Sequence, residues 1–119
     1  MGLQRDLFSG EIIDRKLRRK DPRLTSWAVA EVRDPVIWGV GMTQHDAVVD
    51  AMNQLKAQEL FGIENVVDMA DEIQSGFLQV VPCTRRLADE VHDYGGEVEY
   101  VGIKDAGLFL PGEIKGGKP

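Results

Sequence analysis

Residues 26–58, SWAVAEVRDPVIWGVGMTQHDAVVDAMNQLKAQ, constrain the fold more than any other stretch of the chain. Side chains alternate across a strand, so residues 26–33 place Trp27 and Val29 on one side and Ala28, Ala30 and Val32 on the other. Asp34-Pro35 is a turn signal, because proline presets φ and aspartate can bond the backbone ahead of it. Residues 36–41 then read as a return strand with Val36, Trp38 and Val40 on one face. Gly39 and Gly41 weaken that strand and predict a bulge or a close backbone approach. Thr43 is suited to cap a helix, with Asp46 in an imperfect capping box. Ala47, Val48, Ala51 and Leu55 form the inward stripe, and Gln44, Asp50, Asn53 and Gln54 are left for water.

The rest of the chain extends this unit. Gly62 is expected to end the helix, and a second follows at about 63–74, with Ile63, Val66, Val67, Ala70 and Ile73 inward. Residues 77–81 form a short apolar strand. Thr84 caps a third helix with Leu87, Ala88, Val91 and Tyr94 inward, and Gly95-Gly96 ends it. Residues 97–103 are a strand, and 108–110 read as one more. The expected order is β-β-α-α-β-α-β. The class is α+β: a mixed sheet, made of an antiparallel hairpin and a parallel βαβ unit over 77–103, covered on one face by two or three helices.

Composition sets the outer bounds. The 119 residues, 43% apolar and 29% charged, suit one soluble domain with a working core. No apolar run approaches the length of a membrane span, and residues 1–13 have no apolar secretory region. A single cysteine, Cys83, excludes an internal disulfide and fits a reducing cytoplasm. Charge is segregated. Residues 1–25 hold seven basic and four acidic side chains, a net +3, and the remaining 94 hold seven basic and sixteen acidic, a net −9. The chain therefore reads as a basic arm (1–25), an α+β body (26–112) and a flexible tail (113–119).

Several residues carry chemistry worth testing. Cys83 and Thr84 stand between an apolar strand and a helix start, with Arg85 and Arg86 in the first turn. Helix-end amides and two guanidinium groups would favour a thiolate, or would hold a carboxylate or phosphate. The competing reading is a buried cysteine beside a cap, with the arginines paired to Glu97 or Glu99. Asp89, His92 and Asp93 share a helix face, but a solvated polar face explains them, and no metal or other cofactor is expected. Arg15, Lys16, Arg18 and Arg19 lie in RKLRRK (residues 15–20). Such a run can replace counterions on nucleic acid, yet no aromatic residue interleaves with it and the body is acidic. Pairing of the arm with an acidic neighbouring subunit explains the same charge map. Trp27 and Trp38 are core residues, or interface anchors if one hairpin face is uncovered.

Residues 27–52 resemble the HicB-like family of small antitoxin domains. That family's strand hairpin and Gly-x-Thr-x-x-x-Ala turn stand here as Gly41-Met42-Thr43-Gln44-His45-Asp46-Ala47. The resemblance implies a protein that binds and neutralises a partner. Beyond residue 60 the second helix and the βαβ unit are additional. In overall character the chain is similar to small proteins carried by mobile elements such as phages and integron gene cassettes. The expected function is a non-enzymatic, self-associating cytoplasmic binding protein, a dimer or higher homo-oligomer. The alternative is a small-molecule or anion site at residues 83–86.

Overall fold

A computed structural model describes residues 21–33, 36–104 and 106–114. The hairpin and helix come first: β1 (Ser26–Glu31), β2 (Ile37–Gly41) and α1 (Gln44–Ala57). α2 (Val66–Ser75), β3 (Leu78–Cys83) and α3 (Arg85–Tyr94) follow, then β4 (Val101–Ile103), β5 (Gly107–Phe109) and a 3₁₀ turn at Pro111–Glu113. The class is α+β, and the expected order holds, with β5 added after it.

The five strands form one mixed sheet in the order β2-β1-β3-β5-β4. β1 pairs antiparallel with both β2 and β3, and β4 pairs antiparallel with β5. β3 and β5 run parallel, with Cys83 opposite Leu108. The parallel partner of β3 is therefore residues 107–109. Residues 101–103, expected to fill that place, turn back as a short antiparallel edge.

Helices cover both faces of the sheet, where the sequence pattern had them on one. On one side Val29 and Leu78 pack with Ala47, Ala51 and Leu55 of α1 and Met69 of α2. On the other, Ala28, Ala30, Ile37 and Cys83 pack with Leu87, Ala88 and Val91 of α3. The alternation along β1 feeds both layers, because successive residues leave the sheet on opposite sides.

The hairpin carries a bulge. Val29 pairs with Gly39 and Ala30 with Ile37, so Trp38 is the extra residue. The bulge shifts the period, and Trp38 and Val40 no longer share a face: Trp38 packs with the α1 and α2 layer and Val40 with the α3 layer. Both glycines of β2 mark close approach. A Cβ on Gly39 would lie 2.3 Å from the Ala51 nitrogen, and one on Gly41 would lie 2.6 Å from the Asp46 Cβ. α1 thus sits directly on the β2 backbone.

β2 is an edge strand whose outward donors are occupied. The Ile37 amide donates to the Gly96 carbonyl at 3.0 Å, and the Val40 amide donates to the Asp50 carboxylate at 3.0 Å. Asp50, expected to face water, is half-buried by this contact. Edges closed in this way resist pairing with another chain.

The caps follow the sequence. Thr43 Oγ1 accepts the Asp46 amide and Thr84 Oγ1 the Leu87 amide. α2 begins later than expected because Asn65 and Asp68 form a reciprocal capping box. Ile63 is left in the preceding loop, still buried. Met69 becomes the fully buried residue of α2, while Val66 and Val67 in its first turn are exposed. Tyr94, expected inward, is 75% exposed in the last turn of α3.

Arm residues 1–20, tail residues 115–119 and the Asp34-Pro35 turn lie outside the described residues. The neighbouring segments are tied down. Arg23 makes a bidentate pair with Asp21, holding that carboxyl below its ordinary range. Its guanidinium also donates to the Glu113 carbonyl at 2.8 Å and lies 5.1 Å from the centre of the Phe109 ring. Glu113, the first residue of the expected tail, is buried.

Candidate functional site

The turn from β3 into α3 divides its groups between core and surface. Cys83 is fully buried in the α3 layer. Burial, with a smaller contribution from the nearby Glu113 charge, pushes its thiol up to about 12. A thiol in that state is protonated at neutral pH and gives little nucleophile. Arg85 and Arg86 point to solvent. Arg85 approaches Asp89 at 3.6 Å, an exposed i,i+4 pair of small energetic value, in place of Glu97 or Glu99.

The Thr84 hydroxyl of this turn already binds a carboxylate of the chain itself. Thr84 Oγ1 donates to Glu113 Oε1 at 2.7 Å while accepting the Leu87 amide, and the same Oε1 accepts the Leu110 amide at 2.9 Å. A carboxylate beside a helix N-terminus is favourably placed with respect to the helix dipole. An external anion would compete with Glu113 for the Thr84 hydroxyl. Among the described residues, no group of three or more His, Cys, Asp or Glu side chains is arranged to hold a metal ion. His92 and Asp93 are exposed neighbours on α3.

A second locale lies on the opposite face, where the α1–α2 loop meets the bulged hairpin. Trp38 and Phe61 meet edge to face with ring centres 6.2 Å apart, and Phe61 and Phe77 do so at 4.9 Å. Trp38 Nε1 donates to Glu31 Oε1 at 3.0 Å, which fixes the indole. Glu59 and Phe61 have φ of 55° and 57°, the left-handed region that bulky side chains rarely adopt. Between them Leu60 packs into the core, and Phe61 remains 42% exposed. The loop thus holds an aromatic ring at the surface in a conformation that costs about 1–2 kcal/mol. Such outliers gather at functional surfaces.

Trp27 shares the α1 layer and is half-buried, but opposite Gly41 it makes no ring pair with Trp38. The structure therefore joins Trp38 to Phe61 and Phe77, and Trp27 packs on the same layer apart from that pair of contacts. Phe61 and Phe77 were not singled out from the sequence. The available signal was Phe61-Gly62, an aromatic residue in a loop just before a glycine that itself takes φ 67°. Arg15, Lys16, Arg18 and Arg19 lie outside the described residues.

A third locale is a shallow groove of about 370 Å³ beside the end of α3. It is lined by Glu90, Tyr94, Val98, Glu99, Leu110 and Pro111.

No family model, curated protein or solved structure matches the chain. Among the described residues, no helix is long and apolar enough to cross a membrane.

Proposed function

We propose that the protein is a non-enzymatic binding protein that acts through protein–protein contact, with a second copy of itself as its first partner. The supporting observation is the surface ledge of Trp38, Phe61 and Phe77, in which a loop residue at positive φ holds an aromatic ring toward solvent. Aromatic side chains fixed in position lose little conformational freedom on binding and are favoured interface anchors. On this reading Trp38 is an anchor, with Trp27 packed on the same helical layer. Two amides on the β2 edge are already bonded, so on this reading association uses the aromatic face and not that edge.

The HicB-like pattern of residues 27–52 supports the same class of action, a small cytoplasmic protein of a mobile element that binds and neutralises a partner. Native mass spectrometry and light scattering of the purified chain test the reading. Phe61→Gly removes the ring and keeps a residue that tolerates the backbone geometry. The expected result is a wild-type oligomer and a folded, monomeric variant. A wild-type chain that is monomeric at its highest soluble concentration, or a variant that associates as the wild type does, overturns it.

A further inference from the structure

We infer that the groove between the end of α3 and the segment after β5 is the docking site for this chain's own basic segment, residues 15–20. The groove pairs an apolar surface, from Val98, Leu110 and Pro111, with carboxylates at Glu90 and Glu99 and the exposed ring of Tyr94. The segment RKLRRK is the chemical converse: one leucine, Leu17, flanked by Arg15, Lys16, Arg18, Arg19 and Lys20. Leu17 fits the apolar surface, the cations meet the two carboxylates, and Tyr94 offers a face for an arginine. Other acidic positions, such as Glu64, Asp71 and Glu72 on and beside α2, offer charge outside this groove.

Chain geometry favours docking within one molecule. Arg23 is bonded to the Glu113 carbonyl, two residues beyond Pro111 in the groove wall. Leu17 precedes Arg23 by six residues, a reach of up to roughly 20 Å in extended chain. A segment tethered so near its site meets it at an effective concentration in the millimolar range, above that of a second copy in dilute solution. The inference does not rest on the aromatic ledge, which packs with the other helical layer.

Zero-length carbodiimide crosslinking of the full chain tests it, because Lys16 and Lys20 carry the amines and Glu90 and Glu99 the carboxylates. The expected products join Lys16 or Lys20 to Glu90 or Glu99. In an equal mixture of ¹⁴N and ¹⁵N protein they should carry a single isotope. Leu17→Glu should lower their yield by roughly tenfold, the loss expected when one leucine side chain no longer leaves water. Crosslinks spread evenly over Glu64, Asp71, Glu72 and Asp89 overturn the site. Crosslinks to Glu90 or Glu99 of mixed isotope overturn docking within one molecule and assign the groove to a second copy. Failure of either kind leaves the Phe61→Gly outcome unaffected, so the two proposals fail separately.

Discussion

Glu113 and Thr84, 29 residues apart in sequence, share a hydrogen bond of 2.7 Å in the interior. The bond joins the 3₁₀ turn to the first turn of α3, and Glu113 also closes its own turn through the Leu110 amide. One carboxylate oxygen therefore serves two segments. Thr84 completes the set by capping α3 through the Leu87 amide.

Loss of either partner leaves a buried polar group unpaired. Thr84→Ala removes the cap as well, and is expected to lower stability by about 1–3 kcal/mol. Glu113→Ala should fall in the same range, whereas Thr84→Ser retains the hydroxyl and most of the stability. Urea unfolding followed by circular dichroism measures all three. Equal midpoints for Thr84→Ala and the wild type would remove this contact from the account.

Close packing of α1 on β2 predicts a sharp contrast between glycines. Gly39→Ala places a methyl group 2.3 Å from the Ala51 nitrogen, and the backbone must move to admit it. The expected cost is about 3 kcal/mol or more. Gly112→Ala has no atom within 4 Å of the added carbon and should be nearly neutral. Thermal unfolding of the two variants side by side decides the matter.

Asp50 is expected to protect the sheet edge as well as to stabilise the fold. Asp50→Ala leaves the Val40 amide without its acceptor, at a cost of about 1–3 kcal/mol. It also exposes a donor on β2, so light scattering at raised temperature should show faster aggregation than in the wild type. Asp50→Asn keeps an acceptor and should lie between them. A soluble, fully stable Asp50→Ala protein would contradict the role.

Burial of Cys83 has a pH signature. The thiol ionises near 8.5 in an unfolded chain and is pushed up to about 12 in the folded one. The folded state therefore retains a proton that the unfolded state releases. This contribution to stability is whole below the unfolded value and is lost as pH rises toward about 12, at no more than about 1.4 kcal/mol per pH unit. Tyr100, raised by its own burial, adds in the same direction. The difference between wild type and Cys83→Ala isolates the thiol, and that difference should shrink between pH 9 and 11. Thiol reagents should label the native protein far more slowly than the urea-unfolded chain. Equal rates would show that the thiol is open to solvent.

Local signals in the sequence served well wherever the deciding contact was local. Thr43 and Thr84 cap helices because their partners lie three residues ahead, and the stripe of Ala47, Ala51 and Leu55 follows from helix period. Gly39 and Gly41 predict a bulge or a close approach, and the strand has both. What the sequence hid depends on tertiary register. The bulge that separates Trp38 from Val40 is set by pairing with β1. The acceptor for the Val40 amide comes from ten residues away, on a side chain that local patterning assigns to water. Phe61 reads as an ordinary loop residue until its positive φ is known. Glu113 looks like the start of a tail because nothing nearby in sequence shows that Thr84 awaits it. The turn at Cys83 is legible in the sequence as a helix entry, but its chemistry depends on burial, which the order of residues 83–86 does not display.

The bond between Arg23 and the Glu113 carbonyl brings the two ends of the described chain together. The fold is thus closed into a loop in all but its covalent connection. A circular permutant that joins Asp21 to Ile114 by a short linker and opens at Gly62, where an added side-chain carbon would meet no atom within 4 Å, should keep the same sheet order. The identity of the first and last residues of this domain would then be an accident of connectivity, and the architecture would be the property of the ring.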